Sequence, residues 1–214
     1  MSWFHKTENG AQRRGLASAS DVLAYFRDER DLLLQLALLI TGNSATAEQS
    51  VITAREMAIQ GPTTFHDWLI GWAKWVTINA AISNNRDAIS NCEKRYKDLR
   101  CYHTDNLTQS GEAEDQVDCT LVLRIDPQIV IAELDPLARA VLILRTAVKS
   151  SISYCALQLN VSSGAVLAAR CRAITWLRDL QLRDAAGAES RSDKLRATNS
   201  AGQGGYEQNA NTSA

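Results

Sequence analysis

The sequence predicts an all-α protein with two small helical domains joined by a polar linker. Apolar residues recur at intervals of three and four, and no stretch alternates with period two for long enough to indicate a strand. A polar segment near the middle of the chain separates two apolar blocks. The chain has 214 residues, which is enough for two domains that each bury a core.

Changes in composition, together with proline and glycine, mark the expected boundaries. We expect a flexible N-terminus at 1–19, a helical domain at 20–97, a linker at 98–127, a second helical domain at 128–183 and a disordered tail at 184–214. Ala, Ser, Gly, Asn and Gln dominate the tail. Such a composition buries too little apolar surface to offset the entropy lost on ordering.

Three helices are expected in the first domain. The first begins near Ser20 and ends at Gly42, and Thr46 caps a second helix that ends before Gly61 and Pro62. A third helix begins at Thr64 and Asp67, which are spaced as in a capping box, and can extend toward Lys97. Its apolar residues are spaced at three and four positions: Trp68, Trp72, Trp75, Ile78 and Ile82.

A short helix, a tight turn and a second helix are expected between Ser151 and Val166. Ala156 is small where two helices would cross, and Asn160 can adopt the left-handed conformation of a turn. Ser162 can then cap the next helix. This order fits a helix-turn-helix, and it fits an ordinary helical hairpin equally well.

Charge is distributed unevenly along the chain. Residues 137–184 carry seven basic and two acidic side chains, whereas residues 21–60 carry six acidic and three basic ones. A basic half joined to an acidic half suits a protein that binds DNA with one end and another protein with the other. Solvated surface charge would give the same pattern.

The sequence argues against an enzyme. It contains no phosphate-binding glycine loop, nucleophile elbow or metal-binding helix motif, so we expect no catalytic residue and no cofactor. Cys92, Cys101, His103 and Cys119 carry groups that bind zinc. Because no Cys-x-x-Cys pair is present, however, no metal site is expected.

A cytoplasmic protein without membrane insertion is also expected. The longest apolar run, residues 32–40, is far shorter than the about 20 residues that cross a bilayer. The first residues have no signal-peptide core. An odd number of cysteines, five, then favours reduced thiols in the cytoplasm.

Two blocks of the chain resemble the sigma-70 family, specifically its small extracytoplasmic-function (ECF) branch. The block that resembles region 4 comprises 134–142 and 144–161, followed by Gly164, Val166, 172–173 and 177–178. The block that resembles region 2 comprises 36–42, 47–48, Phe65, 68–69 and 73–74. The two blocks occur in the family's order and cover roughly half of the chain.

The resemblance implies a sigma-factor-like DNA-binding protein that recruits RNA polymerase core to promoters in transcription initiation. It assigns contact with the clamp region of the polymerase to Glu48, Gln49, Ile52 and Arg55. In the region 2-like block, it assigns contact with promoter DNA to Lys74, Trp75, Asn79 and Arg86. In the region 4-like block the DNA-binding positions are Ser162, Ser163, Leu167, Arg170 and Arg172. An anti-sigma factor is a further partner that the resemblance allows.

The region 2-like block departs from the family pattern. Gln49, Ile52 and Arg55 stand where the family usually has an acid, a glutamine and an aromatic residue, which puts polymerase binding in doubt. Lys74 replaces an arginine and so lacks a planar guanidinium. Trp75 could stack on an extruded base, although its helical spacing with neighbouring tryptophans favours core packing.

The expected recognition helix also lacks most of the polar residues that the family uses to contact DNA. Leu167, Ala168 and Ala169 stand where the family usually has Lys or Arg and Ser. We expect Val166, Ala169, Ala173, Leu177 and Leu180 to face inward, and Ser163, Leu167, Arg170, Ile174 and Arg178 to face outward. Leu167 and Ile174 cannot hydrogen-bond a base edge, and an exposed apolar pair suits a protein contact. The alternative function is therefore a degenerate sigma-like protein that acts as a protein-interaction or regulatory module without promoter recognition.

Overall fold

A computed structural model of the chain describes residues 15–61, 64–96 and 119–202, and within the last range it describes side chains for 122–183. These residues are mostly helical, and the pairing of Leu16 with Phe65 is an isolated antiparallel bridge. The prediction of an all-α protein is confirmed over this part of the chain.

The helices in the first half of the chain are α1 (Ala19–Asp28), α2 (Arg30–Thr41), α3 (Ser44–Gln60), a 3₁₀ turn (His66–Trp68), α4 (Leu69–Asn84) and α5 (Arg86–Tyr96). Those in the second half are α6 (Cys119–Arg124), α7 (Pro127–Glu133), α8 (Pro136–Thr146), α9 (Ile152–Leu159) and α10 (Ser163–Gly202). Among the described helices, no single one is long and apolar enough to cross a membrane. Taken together as a bent pair, α9 and residues 163–183 have the length and composition of a membrane span.

The first expected helix is two helices in the structure. Ser18 and Asp21 form a capping box at the start of α1, and the chain leaves helical geometry at Glu29, where φ is −103° and ψ is 20°. Thr46 does not cap the next helix, because Asn43 Oδ1 accepts from the Thr46 amide at 3.0 Å and α3 therefore begins at Ser44. The predicted end of α2 at Gly42 is confirmed, with φ at +70°.

The third expected helix also begins and ends differently. Thr64 and Asp67 make no capping box; Phe65 instead leads into the 3₁₀ turn without a side-chain cap. The Thr64 carbonyl accepts from the Ala17 amide at 2.7 Å, which pairs this segment with the residues before α1. The helix stops at Asn85, whose side chain donates to the Ile40 carbonyl at 2.8 Å, and α5 follows.

The chain divides into two compact units, of which the first ends at Ala173 and the second begins at Ile174. In the first unit, α2 packs against α3 and α4 and also against α7 and α8, and α5 packs against α8. Helices of both apolar blocks therefore share one unit, and the structure does not separate the expected domains 20–97 and 128–183. The physical reason is α8, which is buried over nearly its whole circumference and so needs neighbours on every side.

Two of the three segments that were expected to lack regular structure, the linker and the tail, contain helix. Within the expected linker 98–127, residues 119–124 form α6, where Val122 is buried and Gln35 Nε2 donates to the Leu123 carbonyl at 2.7 Å. Residues 97–118 lie outside the described residues. In the expected tail 184–214, α10 continues to Gly202, and 203–214 are not described. Of the expected flexible N-terminus, 1–14 lie outside the described part, and Ala17 is buried.

A buried arginine lies against the end of α2. The Arg139 guanidinium donates to the carbonyls of Ile131 and Leu134 at 3.2 and 3.3 Å, at the C-terminus of α7. Burial lowers the pKa of Arg139. A Cβ atom at Gly42 would lie only 2.7 Å from Arg139 Nη2, so glycine is needed there both for the left-handed backbone and for space.

Replacing Gly42 with alanine should therefore lower the free energy of unfolding by about 1–3 kcal/mol, because a left-handed backbone and overpacking each carry a cost. Gly71→Ala is the control: a Cβ at this position in α4 meets nothing within 4 Å, and the change should stabilise the helix by about 0.5–1 kcal/mol. Urea unfolding measures both. Equal stability of the two variants would contradict the packing at Gly42.

Candidate functional site

The expected helix-turn-helix has the required local geometry. Ser151 caps α9 by accepting from the Tyr154 amide at 3.1 Å, and α9 ends at Asn160, whose φ of 54° and ψ of 48° are left-handed. Ser162 Oγ accepts from the Ala165 amide at 3.3 Å at the start of α10. The chain bends by 108° between α9 and the helix that follows, within the range of about 90–120° of helix-turn-helix motifs. The predictions for Asn160 and Ser162 are confirmed.

The inner face of the start of α10 agrees with the prediction, whereas on the outer face Arg170 does not. Val166, Ala169 and Ala173 are buried as expected. Arg170 was expected to face outward and is only 8% exposed. The physical reason is helical geometry, since Arg170 lies one turn after Val166 and so near the buried face.

The other region 4-like candidates differ in exposure. Ser162 and Ser163 are exposed, and Leu167 is half-buried. Arg172 is exposed, but its Nε lies 3.2 Å from Asp135 Oδ2 and its Nη2 lies 3.5 Å from the Glu133 carbonyl. The start of the expected recognition helix therefore carries fewer solvated cations than the sequence predicted.

Two of the region 2-like DNA candidates contact α9, the first helix of the expected helix-turn-helix. Trp75 Nε1 donates to Tyr154 Oη at 3.2 Å, and Asn79 Oδ1 accepts from Gln158 Nε2. Trp75 also stacks on Trp72, with ring centroids 5.1 Å apart. The two remaining candidates make no such contact in the described structure: Lys74 is half-buried and Arg86 is exposed.

The four candidates for polymerase binding share one exposed face of α3. Glu48, Gln49, Ile52 and Arg55 are all exposed, with Ile52 at 43%, and the same face continues to Ile59 at 39%. The opposite face of α3 is buried and consists of small residues: Ala47, Ser50, Ala54 and Ala58. The structure therefore brings this set together as a continuous surface with two exposed isoleucines.

Sequence reasoning missed Glu93. Its Oε1 accepts from the Ser162 amide at 2.8 Å, so a carboxylate of α5 lies at the N-terminus of α10. Glu93 and the turn residues Leu157, Asn160 and Val161 line an open depression, and Leu157 has 80% of its surface exposed. No sequence signal points to Glu93, because the contact joins residues 69 positions apart.

Asp135 is a second missed residue, and its position before Pro136 is a signal for a helix cap. Its Oδ1 accepts from the amides of Leu137 and Ala138 at 3.1 and 3.0 Å. Its Oδ2 accepts from Tyr96 Oη and pairs with Arg172. Burial, the hydrogen bond to Asp135 and the negative charge of Asp135 all raise the pKa of Tyr96.

The cysteines form no cluster among the described side chains. Cys92 and Cys155 are free and buried, and burial raises the pKa of the Cys155 thiol to about 11. Cys171 is disulfide-bonded, which differs from the expected reduced thiols. Cys101 and His103 of the zinc hypothesis lie outside the described residues.

Comparison with known proteins adds no identification. No protein-family model, curated protein or solved structure matches the chain. The resemblance to the sigma-70 family remains a prediction from the residues.

Stability above pH 10 should depend on Tyr96. Its pKa is higher in the folded than in the unfolded chain, so folding favours the neutral phenol; the resulting stabilisation is complete below pH 10 and lost as the pH rises further. We expect the free energy of unfolding to fall by up to about 1.4 kcal/mol per pH unit for this group, and less steeply in Tyr96→Phe. Urea unfolding at a series of pH values measures the slopes. Identical slopes above pH 10 would refute the role of Tyr96.

Proposed function

We propose that this chain is a sigma-factor-like DNA-binding protein that recruits RNA polymerase core to promoters, acting in the cytoplasm as this function requires. The observation that carries the proposal is the turn between α9 and α10. The left-handed Asn160, the Ser162 cap and the 108° bend are the geometry that lets a second helix enter the major groove.

The exposed face of α3 supports the part of the proposal that concerns binding to RNA polymerase. The exposed face of α3 presents Ile52 and Ile59 between charged and polar side chains, as expected for a surface with an apolar centre and a polar rim. Its residues differ from those that the family usually has, so polymerase contact through this face would rely more on apolar burial than on charge.

A second candidate function is a sigma-like interaction module without promoter recognition. Two observations favour it: Arg170 is buried, and Arg172 is paired with Asp135. With Arg170 buried and Arg172 paired, the first turns of the expected recognition helix offer few contacts to base edges or phosphates. An anti-sigma factor would be a natural partner for either function.

Binding to purified core polymerase tests the α3 face. Ile52→Glu should weaken binding about tenfold or more, because it removes apolar contact and places a charge in the interface. Met57→Glu is the matched control, since Met57 is 45% exposed on the same helix but lies outside the face formed by Glu48, Ile52, Arg55 and Ile59. Equal effects of the two variants would remove this face from the interface. If the unmodified chain does not bind core polymerase, the interaction module replaces the sigma-like function.

Binding to duplex DNA tests the recognition helix. Leu167→Lys should raise affinity and steepen the salt dependence by about 0.9 in log–log slope, the value for one added phosphate contact. Leu23→Lys on α1 adds the same charge far from the motif in sequence, at a position that is 44% exposed. An equal gain in both variants would mean that only net charge matters, and Leu167 would then not face DNA.

A further inference from the structure

Three polar contacts join the helix-turn-helix to α4 and α5. Tyr154 accepts from Trp75, Gln158 donates to Asn79, and the Ser162 amide donates to Glu93. The Trp75–Tyr154 and Ser162–Glu93 contacts are exposed to solvent, and the Asn79–Gln158 contact is part-buried. Contacts of this kind exchange readily with water, so each of them stabilises the docked arrangement only modestly.

The contact at Ser162 has a particular electrostatic character. The first amides of a helix have no partner within the helix, and the helix dipole favours an anion beside them. In a helix-turn-helix bound to DNA, amides at the start of the recognition helix are placed to meet a backbone phosphate. The Glu93 carboxylate accepts a hydrogen bond from the Ser162 amide and places a negative charge where such a phosphate would lie.

The other two contacts involve residues with an expected role in DNA binding. Trp75 and Asn79 belong to the region 2-like DNA candidates, and both are engaged by side chains of α9. One interface therefore uses residues of both candidate DNA surfaces at once.

We propose that the free chain is autoinhibited, with α9 and the turn docked on α4 and α5 so that Glu93 occupies the position of a DNA phosphate. This inference rests on the proposed DNA-binding function. Duplex DNA competes with Glu93 for the start of α10, and release of α9 from α4 also frees Trp75 and Asn79.

The test measures binding of a fluorescent duplex of randomised sequence at several salt concentrations. Glu93→Gln should raise affinity at least about fivefold and steepen the log–log salt slope by about 0.9, because one more phosphate contact becomes available. Glu56→Gln is the charge-matched control on the exposed surface of α3, and it should change affinity less than about twofold. Tyr154→Phe combined with Gln158→Ala changes no charge and should also raise affinity.

Hydrogen exchange of the Ser162 amide provides a readout without DNA. Exchange should accelerate in Glu93→Gln and stay unchanged in Glu56→Gln. Equal DNA affinity of the unmodified chain and all variants would overturn autoinhibition while leaving DNA binding intact. If no variant binds DNA although Ser162 exchange accelerates in Glu93→Gln, the DNA-binding function itself fails and the autoinhibition with it.

Discussion

The carboxylate of Asp135 is the contact on which the packing of the first unit depends. One oxygen caps α8, and the other accepts from Tyr96 of α5 and pairs with Arg172 of α10. A single side chain thus fixes the start of one helix and joins it to helices from both apolar blocks. Polar groups with little access to water need such partners, so loss of the carboxylate would leave several groups unsatisfied at once.

This packing has a direct consequence for the candidate site. Because α5 lies against α8, α9 comes within hydrogen-bonding distance of α4, and Trp75 meets Tyr154. Trp75 and Asn79, which the resemblance assigns to one DNA contact, and Ser162, which it assigns to the other, then lie in the same interface. The exposed face of α3 takes no part in this contact in the described structure, so the surface proposed for polymerase is separate from the surfaces proposed for DNA.

Features that depend on a few neighbouring residues could be predicted from the sequence. Gly42, Asn160 and Ser162 were predictable because left-handed turns and helix caps are local, and the burial of Val166 follows from helical periodicity. The burial of Arg170, one turn after Val166, was misassigned, whereas the contact of Glu93 and the pairing of Asp135 with Tyr96 and Arg172 were missed because they join helices distant in sequence. The packing of the two blocks was missed for the same reason, since a polar segment between apolar blocks does not show whether they touch.

Native-state hydrogen exchange of the amides of α2 and α8 tests most directly whether both blocks form one unit held at Asp135. The structure predicts that the two helices open with the same free energy, and that Asp135→Asn lowers both values together, by about 1–3 kcal/mol. Asparagine can still cap α8, so this variant isolates the loss of charge beside Tyr96 and Arg172. Opening of α8 at a lower free energy, with α2 unaffected by the substitution, would contradict this account.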